Sequence, residues 1–169
     1  MLSRQNSHRM DDVYTKPGYL FRRMQQIAIS IFMEECKAFD VTPVQYAALV
    51  AIRAYPGIDA TRLSATIAFD RSTLGSVIER LEAKRYVDRK PAPYDKRIKL
   101  LYLTKAGAGL LRNILPSVDR AQTRMLRPLS GANRKTLIDL MMELVNLNNG
   151  ASRVPLRPQN AVEHLQKSR

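Results

Sequence analysis

Residues 59–104 constrain the fold of this chain more than any other stretch, because they combine two short amphipathic helices with a hairpin. Asp59 and Asp70 are good N-cap residues, and each precedes a run with helical spacing. The second run places four apolar side chains on one face: Leu74, Val77, Ile78 and Leu81. The opposite face is small or polar and carries Arg71, Ser72, Gly75, Ser76 and Glu79. The second helix therefore has one face for a core and another with no core to fill.

This pattern predicts a helix-turn-helix in which Ala68 and Phe69 form the turn. The thin N-terminal turn of the second helix can enter the major groove of DNA, while its apolar face is anchored on the body of the protein. Two strands are predicted after it, at 86–90 and 98–103.

The loop at 91–97 is stiffened by two prolines and ends with Lys96 and Arg97. An exposed basic loop beside a recognition helix forms a wing that can contact the phosphate backbone or the minor groove. We expect the Asp95 carboxylate to hold Arg97 in a fixed pose through a charge-assisted contact.

These motifs resemble those of the MarR winged-helix regulators of bacteria. The matching residues are Leu63, Asp70, Ser72, Thr73, Leu81, Glu82, Tyr86, Val87, Arg89, Asp95, Lys96, Arg97, Leu103, Thr104 and Gly107. The resemblance extends upstream to VTPVQY at 41–46 and covers about 19–147. It implies a mainly α-helical fold with a small β-hairpin wing, in which a winged helix-turn-helix domain is joined to N- and C-terminal dimerisation helices.

The charge balance favours a nucleic-acid partner. The chain has 28 Lys and Arg against 15 Asp and Glu, a net charge of +13. Such an excess suits a polyanion, and nucleic acid is favoured over a membrane surface because no strongly basic amphipathic helix stands out. A chain of 169 residues suits one domain, or a small domain with appended helices.

The sequence offers little for catalysis or for a metal. One Cys and two His leave no metal-ligand cluster, and no Gly-rich phosphate loop is present. We therefore expect no enzymatic activity, no metal and no cofactor. No apolar run approaches the ~20 residues that span a bilayer, and the N-terminus lacks an apolar signal region. We expect a soluble, cytoplasmic, nucleoid-associated protein with no membrane partner.

The predicted elements divide the chain into four parts. Residues 1–16 form a flexible N-terminal arm, and 150–169 form a polar C-terminal tail. Residues 41–103 form the winged helix-turn-helix DNA-binding domain. Residues 17–40 and 104–149 form a helical dimerisation region.

The C-terminal half of that region contains two predicted helices. The first runs from about 105 to 126, and we expect Pro116 to kink it or break it in two. Ser130 caps the second, whose apolar side chains recur at helical spacing: Leu137, Leu140, Met141, Leu144 and Leu147. A small winged helix cannot cover these faces, so a second copy of the chain is the expected partner, with intrachain core as the alternative. The resemblance also implies a homodimer.

Candidate contacts to double-stranded DNA lie on three elements. The recognition helix offers Arg71, Ser72, Thr73 and Ser76, which can reach base edges or phosphates. The wing and its strand offer Asp95, Lys96, Arg97, Lys90 and Arg89, and the start of the preceding helix offers Thr61 and Arg62. For each of them a solvated surface is the alternative.

The resemblance implies an effector site for a small aromatic carboxylate between the dimerisation helices and the winged helix. Such a site needs an aromatic wall and a cation, for which Tyr46 and Arg23 are the candidates. Tyr19, Phe39, Met33 and His8 are candidates to complete it. A core tyrosine and a surface arginine are the alternative interpretation.

Cys36 offers a rival input, because some members of this family sense peroxides through a cysteine. That cysteine lies close to the start of the first long helix, whereas Cys36 lies near its predicted end among apolar side chains. A lone cysteine in such a stretch is usually part of the core.

Together these features predict a homodimeric, ligand-responsive repressor that binds a pseudo-palindromic promoter site. The stretch PGYLFRRMQQI at 17–27 is most similar to repressors of nicotinate and other aromatic-acid degradation. One alternative is an architectural or RNA-associated basic protein with little sequence preference. Another is a protein-interaction module whose winged helix is only structural.

Overall fold

The computed structural model describes residues 9–157 and confirms a mainly helical fold with a small antiparallel sheet. The helices are α1 (Met10–Tyr14), α2 (Pro17–Glu35), α3 (Pro43–Ala54), α4 (Ala60–Ile67), α5 (Arg71–Ala83), α6 (Lys105–Leu126) and α7 (Gly131–Leu147). The strands are β1 (Ile58–Asp59), β2 (Val87–Pro91) and β3 (Lys99–Leu103), and short 3-10 helices cover Lys37–Phe39 and Asn149–Ala151.

Side-chain hydrogen bonds cap the N-termini of α3, α4 and α5. Thr42 accepts from the Gln45 amide at 3.3 Å, and the Gln45 side chain accepts from the Thr42 amide at 3.1 Å, so α3 starts with a full capping box. Asp59 caps α4, and Asp70 caps α5. Between them Ala68 adopts a left-handed conformation, with φ of 49°, and turns the chain from one helix to the next. The predicted helix-turn-helix is confirmed.

The core lies where α3, α4, α5 and the sheet meet. Leu49, Ile52, Leu63, Leu74 and Leu81 are fully buried there, and Ile114 of α6 joins the same cluster. The apolar face of α5 predicted from the sequence is therefore anchored as expected. Its burial leaves the opposite face of α5 at the surface.

The sheet has a third strand that the sequence did not predict. Its order is β1-β3-β2, with Ile58 opposite Leu101 and Val87 opposite Leu103. The strand β1 has two residues, too few to show an alternating pattern. It secures the inner edge of the wing hairpin to the entrance of α4.

Two effects of Pro116 were predicted, a kink or a break; the break is wrong, and the kink stays a prediction. The helix runs as one element from Lys105 to Leu126 with Pro116 inside it. Proline removes one amide donor, but Ile114 and Val118 on either side of it are buried and hold both halves on the body of the protein. Tertiary packing therefore outweighs the local cost.

Gly107 is the point at which α6 passes closest to the hairpin. A Cβ at this position would lie 2.3 Å from the Tyr86 carbonyl oxygen and 2.7 Å from Leu103 Cδ1. Because a backbone carbonyl cannot rotate away, Gly107→Ala should lower the free energy of unfolding by about 1–3 kcal/mol. Urea denaturation of the two proteins measures the difference. Gly131→Ala is the matched control, since nothing lies within 4 Å of its Cβ position; equal losses in both variants would contradict this prediction.

The helix α7 packs little against the rest of the chain. No residue of α7 is buried among the described residues, and its large apolar side chains are between 36% and 76% exposed. The N-terminal half of α2 likewise exposes Leu20, Phe21, Met24 and Ile27. Two apolar helix faces are thus left at the surface of the single chain.

The predicted N-terminal arm is partly helical where the structure describes it. Met10–Tyr14 forms α1, and the Tyr14 ring lies 5.3 Å from the Tyr19 ring at the start of α2. At the other end, the chain after α7 turns back toward the helix-turn-helix, where the Arg157 amide donates to the Ala65 carbonyl at 3.0 Å.

Candidate nucleic-acid interface

The open face of α5 is built on its cap. The Asp70 carboxylate accepts from the Ser72 amide at 2.8 Å and from the Ser72 hydroxyl at 2.7 Å. These two bonds, with the charge of Arg153 as a smaller cause, lower the pKa of Asp70. The carboxylate therefore stays ionised and satisfies donors at the N-terminus of the helix. This arrangement supports the interpretation of Asp70 as a cap.

The two serines predicted to contact DNA use their hydroxyl hydrogens inside the helix. Ser72 donates to Asp70, and Ser76 donates to the Thr73 carbonyl at 2.9 Å. Both residues are exposed, and a hydroxyl oxygen that donates its hydrogen can still accept from exocyclic amino groups of bases.

Arg71 differs from these serines because it has no hydrogen-bond or ion-pair partner in the part of the chain that the structure describes. It is exposed in the first turn of α5, as is Thr73. Gly75 lies one turn further along, and nothing comes within 4 Å of its Cβ position. The exposed face of α5 is therefore narrow at Gly75, and it carries Arg71 as a cation that can bind a ligand.

The wing holds its arginine as the sequence predicted. The Asp95 carboxylate accepts from the Arg97 amide at 2.9 Å, from Nε at 3.1 Å and from Nη2 at 3.0 Å. Hydrogen bonding to Arg97 lowers the pKa of Asp95 and raises that of Arg97. The Arg97 side chain is nevertheless 91% exposed, so it is oriented without being covered.

The other cations near the wing differ in how they are engaged. Lys96 is exposed at the wing tip. The Lys90 ammonium lies 5.3 Å from the centre of the Tyr102 ring, a cation–π contact on β3. Arg89 donates from Nε to the Glu82 carboxylate at 2.7 Å, which ties β2 to α5. Arg89 is thus committed to the fold.

At the start of α4, as at the start of α5, backbone amides donate to the carboxylate of the capping aspartate. The amides of Thr61 and Arg62 donate to the Asp59 carboxylate at 2.8 and 3.0 Å. Both side chains are exposed. They lie at the N-terminus of the helix that precedes the recognition helix, where a backbone phosphate can approach.

Two exposed residues near this surface were not singled out from the sequence. Tyr94 is 75% exposed on the wing. Arg153, beyond α7, lies with Nη2 3.8 Å from the Asp70 carboxylate. The signal for Tyr94 was an aromatic residue in a loop of prolines and charges. Arg153 carried no local signal, because its position depends on the path of the chain after α7.

Two apolar cavities lie between the helix-turn-helix and the elements that flank it. The first, of about 500 Å³, is lined by Tyr46, Val50, Ala54, Tyr55, Ile67 and Leu156. The second, of about 580 Å³, is lined by Phe21, Ala68, Met141, Leu144, Val145 and Leu156. Leu156 lines both cavities. The first lies between α3 and α4, within the winged helix. The second lies between α2, α7 and the turn of the helix-turn-helix, which is where the effector site was expected.

The predicted effector residues do not all gather at these cavities. Tyr46 lines the first cavity, and its ring lies 6.0 Å from that of Phe32. Arg23 is exposed on α2 and donates to Gln26 at 3.1 Å, and it is not among the residues that line either cavity.

The remaining effector candidates are also dispersed. The centre of the Tyr19 ring lies 5.0 Å from Arg22 Cζ, and Phe39 packs against the core. Met33 is partly exposed on α2. His8 lies outside the described residues. The sequence offered Arg23 as a cation, but it could not predict which side chain of α2 faces a cavity.

Cys36 is 1% exposed, and its burial, with the neighbouring Glu35 as a smaller cause, raises the pKa of its thiol. A smaller thiolate fraction at neutral pH makes the sulfur slow to react. We expect hydrogen peroxide to leave DNA binding unchanged under conditions that oxidise an exposed thiol, as measured by gel shift. Cys36→Ala is the control; release of DNA by peroxide from the parent protein but not from this variant would make Cys36 a sensor.

Within residues 9–157, no three His, Cys, Asp or Glu side chains come together as a metal site. No helix in that part of the chain is long and apolar enough to cross a membrane.

Comparison with known proteins matches residues 39–98 to the MarR family model, across the helix-turn-helix and most of the wing. The transcriptional repressor NicR of Pseudomonas putida is 28% identical over 141 residues, covering 83% of this chain and 89% of NicR. A putative regulatory protein for the hcr operon of Thauera aromatica is 33% identical over 128 residues, covering 75% of this chain and 77% of that protein.

Solved structures agree with this match along most of the chain. PcaV of Streptomyces coelicolor, in complex with its natural ligand, has a TM-score of 0.73 and 31% identity, covering 80% of this chain and 95% of PcaV. BpsR of Bordetella bronchiseptica, whose DNA binding is regulated by 6-hydroxynicotinic acid, has a TM-score of 0.72 and 26% identity, covering 78% and 94%. CouR, a repressor bound to a 23-mer DNA duplex, has a TM-score of 0.73 and 25% identity, covering 81% and 97%. The chain therefore belongs to the MarR family of winged-helix transcriptional regulators, which bind DNA and are not enzymes.

Proposed function

We propose that this protein is a homodimeric repressor that binds a pseudo-palindromic operator and is released from it by a small aromatic carboxylate. The observation that carries the DNA-binding part is the asymmetry of α5. One side of this helix is fully buried through Leu74 and Leu81, while the side with Arg71 and Gly75 is open and free of bulk. An anchored helix with a thin, exposed N-terminal face suits insertion into a major groove.

The wing supports the same function. Arg97 is fixed by Asp95 yet almost fully exposed, which reduces the conformational entropy lost when a guanidinium binds a phosphate or enters a minor groove. Together with Lys96 it places positive charge at the tip of the hairpin. We propose that α5 supplies base contacts and that the wing and the start of α4 supply backbone contacts.

We propose a second copy of the chain because α2 and α7 expose apolar faces that a partner would cover. Eight large apolar side chains of α7 are exposed in one subunit: Leu137, Ile138, Leu140, Met141, Met142, Leu144, Val145 and Leu147. A contiguous apolar surface of this kind marks an interface. We propose that residues 17–40 and 104–149 pair with their counterparts, while residues 41–103 form the DNA-binding unit. Two-fold pairing would place two recognition helices on one operator.

The proposed effector is an aromatic acid, supported by the relatives rather than by any bound molecule. PcaV was solved with its natural ligand, and the DNA binding of BpsR is regulated by 6-hydroxynicotinic acid. The two cavities that meet at Leu156 are apolar and large enough for one aromatic ring. We propose that Tyr46 forms part of the wall and that Arg23 attracts the carboxylate.

Binding to the promoter region of the protein's own gene tests this proposal. A gel shift at ~150 mM salt should show a preference of about a thousandfold or more over random DNA of equal length. Aromatic carboxylates, with 6-hydroxynicotinic acid first, should then release the bound protein. Equal binding to both DNAs would favour an architectural role, and no binding to either would favour an interaction module.

A further inference from the structure

The chain that follows α7 forms an ordered connection to the recognition helix. In this C-terminal segment, residues 149–157, the Asn149 side chain accepts from the Leu156 amide at 2.8 Å and donates to the Leu156 carbonyl at 3.2 Å. The amide of Val154 donates to the Ser152 hydroxyl at 3.2 Å. Two hydrogen bonds between Asn149 and Leu156 thus close a loop of eight residues.

The same segment is fastened to the helix-turn-helix. The Arg157 amide donates to the Ala65 carbonyl of α4 at 3.0 Å. The Leu156 side chain lines both apolar cavities, against Tyr46 and Ile67 on one side and Ala68 on the other. Backbone bonding and apolar contact together fix where the segment lies.

This placement puts a cation at the edge of the surface proposed to meet DNA. Arg153 Nη2 lies 3.8 Å from the carboxylate of Asp70, the N-cap of α5, and its side chain is 91% exposed. Asp70 is the acidic group at the N-terminus of the open face, and an unneutralised carboxylate there would repel a phosphate. The segment carries Arg153 and Arg157 and no acidic residue.

We propose that the C-terminal segment is a third DNA-contacting element and that Arg153 binds a backbone phosphate beside the N-terminus of the recognition helix. The contact is independent of base sequence, because a phosphate carries no base identity. Arg153 also neutralises Asp70 where the duplex approaches. This inference rests on the proposed operator binding and adds a contact outside the helix-turn-helix and the wing.

Arg153→Ala tests the contact through salt dependence. Each phosphate contact adds about 0.9 to the slope of log affinity against log salt, so removal from both subunits should reduce the slope by about 2. Affinity at 0.15 M salt should fall about 10- to 30-fold, equally for the promoter fragment and for random DNA. Since Arg153 is almost fully exposed, its loss should leave the fold intact.

Two further variants test whether the effect comes from this contact. One controls for the loss of a positive charge elsewhere, and the other tests whether the ordered loop is needed to position Arg153. Lys135→Ala removes an exposed charge at the far end of α7, on the order of 20 Å along the helix from the segment, and should keep the parent slope. Asn149→Ala keeps Arg153 but opens the loop, so it should lose as much slope as Arg153→Ala, and the double variant should lose no more.

The possible results distinguish a failure of the Arg153 contact from a failure of the proposed repressor function. If the parent protein prefers its promoter but Arg153→Ala and Lys135→Ala have the same slope, the Arg153 contact is refuted and the repressor remains. A normal slope in Asn149→Ala, with a reduced slope in Arg153→Ala, would refute the role of the ordered segment. If the parent protein shows no preference for its promoter, the proposed function itself fails.

Discussion

Leu140→Glu should convert the protein to a monomer and abolish tight operator binding while each subunit stays folded. Leu140 is 53% exposed in the single subunit and lines neither cavity, so glutamate meets water in a monomer. In a two-fold interface the same change buries two unpaired carboxylates, each of which costs several kcal/mol. The dimer dissociation constant should rise about a thousandfold or more.

Sedimentation and gel shift measure the two consequences of this change. A monomer contacts one half-site, so operator affinity should fall on the order of a thousandfold, toward that for random DNA. Thr136→Glu is the matched control, because it adds the same charge on the polar stripe that contains Asp139 and Glu143. A dimeric Leu140→Glu variant, or a monomer that binds the operator normally, would contradict the role of α7.

Gly75→Leu should raise stability and abolish operator binding at the same time. Nothing lies within 4 Å of the Cβ position of Gly75, and it is exposed within α5. Replacing a mid-helix glycine with a good helix former should raise the free energy of unfolding by up to about 1 kcal/mol. The leucine side chain would then project from the face that must enter the groove. Promoter preference should fall on the order of a thousandfold, to that of random DNA.

Gly75→Leu should raise stability and weaken operator binding. A fold defect would lower stability, so it could not explain the loss of binding. Thermal unfolding gives the first effect and a gel shift against random DNA gives the second. Gly75→Ala is the control: it brings the same helix propensity with only a methyl group, so it should be stabilised and still bind. A Gly75→Leu protein that binds its promoter normally would show that this face does not meet DNA.

The parts of the fold that were predictable are those set by neighbouring residues. Each capping residue acts within three positions of its own, so the N-caps Asp59, Asp70 and Ser130 could be predicted from the sequence. The Asp95–Arg97 contact is equally local, since two positions separate its partners. These features include the cap of the recognition helix and the fixed arginine of the wing.

The features that were missed depend on contacts between distant segments. The strand β1 exists because Ile58 and Asp59 pair with residues more than forty positions away on β3. The helix α6 stays whole through Pro116 because buried neighbours hold it, although local preference alone favours a break. Arg153 reaches Asp70 only because the chain turns back after α7.

The predicted effector site shows the same limit. Arg23 was the candidate cation of this site, but the rotation of its side chain relative to the cavities depends on how α2 packs. In one subunit Arg23 contacts Gln26, whereas Phe21 lines a cavity. Tyr46 was predictable as a cavity residue because α3 is short, capped and fixed on both sides by the core.

The spacing of half-sites tests the central claim, that two recognition helices of one dimer bind one operator. Once footprinting has located the operator, five base pairs are inserted at its centre, which turns one half-site by about half a turn of the helix. A rigid dimer can then engage only one half, so affinity should fall on the order of a thousandfold. Unchanged affinity after the insertion would show that the two recognition helices do not act together on one site.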